Sequence, residues 1–155
     1  MRRPLLLLAA TGGLTLAPSL CRAQAVPNFL RPSGLPPSNG YSHVVEVPSG
    51  NRLVIVSGQV PLDSQGNLVG GADFSAQAQQ VFLNLRQALL AAGATFQDVV
   101  KLTYYVVDAS KLPALRQVRD QFIDPRNPPA STLVEVRHLF RPDLLLEVEA
   151  IAALR

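Results

Sequence analysis

The chain has 155 residues, room for one domain and too little for two comfortable cores. An apolar fraction of 48% against 16% charged residues excludes an intrinsically disordered protein. Its formal charge of +3 would suggest an acidic partner, but the excess lies in a segment expected to be removed.

That segment is residues 1–25. Arg2 and Arg3 make a short basic start, Leu5 to Leu20 is an apolar stretch, and Ala23-Gln24-Ala25 is a small-x-small cleavage signal. This is the pattern of a secretory signal peptide cut after Ala25. The competing reading is a membrane anchor. Thr11-Gly12-Gly13 and Pro18 interrupt a run already short for a span, so no stable anchor is expected. The paired arginines leave both the general secretory and the twin-arginine routes open. Without Arg2, Arg3 and Arg22, Lys+Arg falls from 14 to 11 against 11 Asp+Glu, and the charge argument for nucleic acid disappears. Cys21, the single cysteine, leaves as well, and the bulky Leu20 before it argues against a lipoprotein site. The mature domain then has no disulfide and no thiol chemistry, which suits a bacterial periplasmic or secreted protein held by its core alone.

Residues 26–40 carry Pro27, Pro32, Pro36 and Pro37 among Ser33, Gly34, Ser38 and Asn39, and read as an irregular Pro-rich leader to a domain over 41–155. His43 to Val47 and Arg52 to Ser57 read as strands joined in a hairpin across Pro48-Ser49-Gly50-Asn51. Leu62 to Asn67 is a further turn. Val69-Gly70-Gly71-Ala72 lacks the Lys-Ser/Thr and the glycine spacing of a phosphate cradle, and reads as a simple turn. From Asp73 to Ala92 the apolar residues Phe74, Ala78, Val81, Leu85, Ala88 and Ala92 recur every three or four positions opposite Gln79, Arg86 and Gln87. The spacing predicts an amphipathic helix stopped by Gly93. Val99 to Val107 is rich in β-formers and reads as a strand. Ser110 is placed to cap a second helix with Pro113 in its first turn and Leu115, Val118 and Phe122 as its buried stripe. Pro125, Pro128 and Pro129 end it. Two strands follow, the first leading to Val136 and the second from Leu144 to Ala152. The order ββαβαββ predicts an α+β two-layer sandwich, one mixed sheet with two helices on one face.

The last strand holds the chemically unexpected pair. A strand has a period of two, so Glu147 and Glu149 point to one face of the sheet. Two acids beside each other in an apolar strand are not explained by burial. Read with Ser57-Gly58-Gln59-Val60-Pro61, with Ala92-Gly93 and Asp98-Val99-Val100-Lys101, and with Pro129-Ala130 and Val134-Glu135-Val136, the run Glu147-Val148-Glu149-Ala150-Ile151-Ala152 resembles the RidA (YjgF) family of small enamine/imine deaminases. The likeness covers nearly all of Tyr41 to Arg155.

The resemblance implies a chorismate-mutase-like protomer, a homotrimer with clefts between subunits, and hydrolysis of a C=N bond to a carbonyl compound and ammonia without a cofactor. It implies Glu149 as the catalytic carboxylate that positions water. It places Tyr41, Gly58 and Leu133 against the ligand, and puts Arg116 where many relatives carry a pocket asparagine. It also exposes a departure. The family has an arginine after Pro-Ala, to grip the substrate carboxylate, where this chain has Ser131. A charge-assisted hydrogen bond is worth about 1.5–3 kcal/mol, so losing two without replacement costs on the order of two to four decades in productive binding.

Other arginines are candidates for the role. Arg126 lies five residues earlier in a proline-rich loop, and Arg137 is about 20 Å along the strand, too far within one protomer. Arg116 either reaches the cleft or is a solvated helix charge paired with Asp120 at i+4. Glu147 reads as a surface or interface residue, and Tyr41 reads equally as a packing residue. Ser131 has no neighbouring base at the spacing of a nucleophilic pair. His43 and His138 show no metal-ligand pattern and are read as structural; no metal is expected. Two functions remain: hydrolysis of a small imine or enamine, or a catalytically silent small-molecule-binding homotrimer with the same inter-subunit cleft. A chorismate-mutase-like rearrangement rests on fold analogy alone.

Overall fold

A computed structural model describes residues 26–155, so the signal peptide expected over 1–25 lies outside the described residues. Eight elements follow in order: β1 (Asn28–Leu30), β2 (Val44–Glu46), β3 (Arg52–Gln59), α1 (Phe74–Ala91), β4 (Val99–Val106), α2 (Leu112–Arg119), β5 (Ala130–Glu135) and β6 (Leu146–Leu154). The strands β3, β6, β4 and β5 lie side by side in that order, antiparallel except for the parallel pair β4–β5. The expected α+β sandwich with one mixed sheet and two helices on one face is what forms. No helix among the described residues is long and apolar enough to cross a membrane.

Two local expectations change. The predicted hairpin across Pro48–Asn51 does not form, because β3 pairs with β6 at the far end of the chain. β2 instead pairs with β1, which makes three residues of the Pro-rich leader a strand rather than irregular chain. The cap of the second helical segment also moves. The Asp108 carboxylate accepts the Ser110 N–H and starts a 3₁₀ turn over Ala109–Lys111, which runs into α2 with Pro113 in its first turn. Ser110 is inside that turn rather than capping it.

The core lies between the helices and one sheet face. α1 begins at Asp73, whose carboxylate accepts the backbone N–H groups of Ser75 and Ala76, and it buries Phe74, Ala78, Val81, Phe82, Leu85 and Leu89. β4 and β6 answer with Leu102, Tyr104, Val106, Leu146, Val148 and Ala150, every second residue in each case. The rings of Phe82, Phe96 and Phe122 cluster with centroids 5.1–5.9 Å apart, Phe82 stacked on Phe122 and Phe96 tilted against both. Among the described residues the one fully buried amide, Gln77, is satisfied throughout. Its nitrogen donates to the carbonyls of Gly71 and Asp143, and its oxygen accepts the Leu145 N–H. That clamp fixes the entry to β6, and with it the register of Glu147 and Glu149.

Candidate functional site

The strand period sorts the candidate residues onto two faces. Ser131 and Leu133 on β5 stand beside Leu102 and Tyr104 of β4, on the side covered by the helices. Glu147 and Glu149 stand beside Tyr105 and Thr103 on the other side. The segment carrying Tyr41 is stitched along β5. Ser42 donates from its backbone to Pro129 O at 3.1 Å and from its hydroxyl to Pro128 O at 2.7 Å. Tyr41 is thereby set at the edge of the sheet, its ring edge-on to His43 with centroids 5.1 Å apart.

On the helix side these residues enclose a cavity of about 150 Å³, lined by Tyr41, Tyr104, Leu115, Arg116, Ser131 and Leu133 with Asn39, Leu112 and Arg119. Four of the six expected site residues (Tyr41, Arg116, Ser131 and Leu133) thus meet in one place. Arg116 does not pair with Asp120. That carboxylate is taken by Arg119, at 2.7 Å. Arg119 is 8% exposed and packs over Gly40, where an added Cβ would lie 3.0 Å from its Cζ and closer still to Nη2. Gly40 also has φ +74°, a conformation that side chains disfavour. A glycine at this point lets the guanidinium close down on the leader and leaves Arg116 free to face the cavity. Its Nε is buried without a well-formed hydrogen bond, as are the Ser131 and Tyr104 hydroxyls. Burial pushes the Tyr104 phenol well up from its ordinary value, against the opposing pull of Arg119 and Ser131 nearby. Arg126 stays outside. It is paired with Asp124 at 2.9 Å and is largely exposed.

The opposite face holds the acids. β3 loses register with β6 between Val56 and Gln59, and this bulge brings Gly58 over Glu147. A Cβ at Gly58 would lie 2.7 Å from Cδ of Glu147, so only glycine lets the carboxylate rest there. Burial, and then the charge of Glu149, raise the Glu147 pKa above the ordinary glutamate value. Glu149 accepts a long hydrogen bond of 3.4 Å from the Tyr105 hydroxyl, whose own pKa is raised chiefly by the Glu149 charge. Around the acids the face is apolar and open: Leu53, Ile55 and Val134 are 56, 79 and 42% exposed.

Gly58 and Glu149 are therefore brought together with Glu147, but not with the cavity. Sequence reasoning missed Tyr104 and Arg119 as cavity residues, and read Glu147 as a surface or interface residue without its contact with Gly58. The period of two places Tyr104 inward, but only the packed helix shows that its hydroxyl ends in a cavity. The histidine rings meet backbone carbonyls: His43 Nε2 lies 2.8 Å from Pro36 O and His138 Nδ1 lies 3.3 Å from Leu139 O. Among the described residues there is no cluster of three or more metal-ligating side chains.

Residues 32–154 match the family described as Endoribonuclease L-PSP. The chain is 37% identical over 105 residues to a 2-iminobutanoate/2-iminopropanoate deaminase of Salmonella typhimurium, covering 66% of this chain and 80% of the relative. It is 31% identical over 124 residues to the 3-aminoacrylate deaminase RutC of Acinetobacter baylyi, covering 80% of this chain and 95% of the relative. Among solved structures, the conserved Rid-family protein YyfB of Yersinia pestis superposes with a TM-score of 0.75 at 40% identity, over 84% of this chain and 100% of that one.

Proposed function

This chain belongs to the RidA/YjgF family, whose sequence pattern is also described as Endoribonuclease L-PSP, and we propose that it hydrolyses small reactive imines or enamines to a carbonyl compound and ammonia. The observation that carries the reading is the carboxylate pair. Glu147 is pressed against Gly58 and holds its proton more tightly than an ordinary glutamate, with Glu149 beside it. A base whose pKa is moved up towards the working pH is better suited to take a proton from water. Water adds through oxygen to the C=N carbon, one of its protons passing through the carboxylate to the nitrogen. The resulting carbinolamine loses its hydroxyl proton to the nitrogen and collapses to C=O and NH₃, so atoms balance and no electrons change hands. The resemblance gives the water-positioning role to Glu149. Glu147, seated on Gly58 beside it, is the second acid that the proposal carries.

The substrate sits in the cleft of Tyr41, Arg116, Ser131 and Leu133. This cleft and the acids lie on opposite faces of one sheet, so a working site needs a second copy, and a homotrimer burying the Leu53–Ile55 face supplies it. Export after cleavage near Ala25 is part of the same proposal, and fractionation of the producing cell tests it. A silent binding homotrimer is the second reading, favoured by the absence of an arginine at position 131. Ammonia release from freshly generated 2-iminopropanoate and 2-iminobutanoate decides between them. Turnover lost in Glu147→Gln or Glu149→Gln supports the deaminase. No turnover in the wild type leaves the binding reading.

A further inference from the structure

We propose that Arg116 on α2, with the hydroxyls of Ser131 and Tyr104, takes over the carboxylate grip that the family's arginine would supply at the position of Ser131. It rests on the cleft assigned above and deepens it by naming what the cleft holds. Three polar atoms on three different elements, Arg116 Nε on α2, Tyr104 Oη on β4 and Ser131 Oγ on β5, line one cavity and are buried without a well-formed hydrogen bond, the Tyr104 phenol lying close to Ser131 and Arg119. Buried polar groups are nearly always satisfied, and each exception calls for an unseen partner. All three atoms can donate to one ligand, since Arg has no acceptor and a hydroxyl rotates to suit. Their common complement is an acceptor. The buried phenol keeps its proton across the physiological range, so Tyr104 stays a donor.

Charge sets the valence of the ligand. Arg119 is neutralised by Asp120, and no carboxylate lines the cavity, so Arg116 is its single uncompensated cation. One guanidinium matches one negative charge. A dianion would bring an unpaired charge into low dielectric. Shape sets the rest. The planar fork of Nε and an Nη atom fits a carboxylate edge-on, with the hydroxyls completing its oxygens. Leu112, Leu115 and Leu133 supply apolar wall in a volume of about 150 Å³, enough for a short aliphatic tail.

The test is calorimetric titration of the intact oligomeric protein with 2-oxobutanoate, with the neutral 2-oxobutanamide, and with inorganic phosphate. The expected result is that 2-oxobutanoate binds the wild type, that Arg116→Gln weakens it by about 10- to 100-fold, and that Arg116→Lys recovers part of the loss. The amide should bind both forms alike and weakly. Thermal melts of both variants check folding. No binding of 2-oxobutanoate, affinity indifferent to residue 116, or phosphate bound more tightly than the carboxylate would each overturn the proposal. Binding is read without turnover. A protein that binds 2-oxobutanoate through Arg116 but releases no ammonia sinks the deaminase reading alone. One that releases ammonia with affinity indifferent to residue 116 sinks this inference alone.

Discussion

A methyl group added at Gly58 would lie 2.7 Å from Cδ and 2.9 Å from Cγ of Glu147, and closer still to Oε1. Ordinary carbon–carbon contact needs about 3.5 Å or more, so in Gly58→Ala the carboxylate must swing away by roughly 1 Å. Gly58 is not among the glycines with positive φ, so alanine adds no backbone strain there. The obstacle is the end of a flexible side chain, and the expected loss of stability is within about 1 kcal/mol. Chemistry is less forgiving. A reacting group misplaced by about 1 Å costs on the order of 10²-fold, or ~2.7 kcal/mol in the barrier. The assay is kcat for ammonia release from 2-iminobutanoate, paired with a thermal melt of each protein. Gly34→Ala serves as the control, because a Cβ there meets nothing within 4 Å. A folded Gly58→Ala protein with kcat within about threefold of wild type would refute the idea that Glu147 works from its seat on Gly58.

Two further outcomes follow from the same face. The Glu147 pKa is raised in the folded state, so its contribution to stability is full below the unfolded value and is lost as pH rises through the folded one. Glu147→Gln should therefore melt higher than wild type at pH 7, with the advantage shrinking on acidification towards the ordinary glutamate range; a variant less stable at pH 7 contradicts this. Ile55 is 79% exposed beside Leu53 on the sheet face proposed to pack between copies. Ile55→Glu should move the sedimentation mass from trimer to monomer, and a trimer that tolerates the charge would place the interface elsewhere.

What the sequence told, and what it withheld, follows the range of the interactions involved. The helix over Phe74–Ala91 and the strand faces of β4 and β6 were legible because periodicity is local: Asp73 caps, every third or fourth residue is apolar, and Glu147 and Glu149 share a face by count alone. Pairing is not local. Pro48–Asn51 looks like a hairpin turn, but β3 finds its partner about a hundred residues away, and Asn28–Leu30 becomes a strand only because β2 lies beside it. The same limit governs the arginines. Asp120 lies within sequence reach of both Arg116 and Arg119, and i+4 spacing favours the first. Arg119 takes it because Gly40, from another part of the chain, leaves room for its guanidinium. Tyr104 and Tyr105 are adjacent and alternate across the sheet, so their neighbourhoods, a cavity and a carboxylate, are set by what packs on each face.

The separation of the two half-sites bears on how binding and chemistry divide between protomers. Arg116, Tyr104 and Ser131 come from one chain and reach one cavity, so the anion subsite is complete in a single copy. Glu147 and Glu149 of the same chain lie across the sheet from that cavity, with the β4 and β6 backbones between. No side-chain rotation carries a carboxylate through a hydrogen-bonded sheet. A ligand small enough for about 150 Å³ cannot span both. For the proposed hydrolysis, water delivery must then come from a neighbouring copy whose acid-bearing face meets the cavity mouth. Dissociation should accordingly split the two properties: monomeric Ile55→Glu should still bind 2-oxobutanoate yet release no ammonia. Turnover by a monomer verified at the assay concentration would mean that the acids of β6 are not the base, whatever holds the carboxylate.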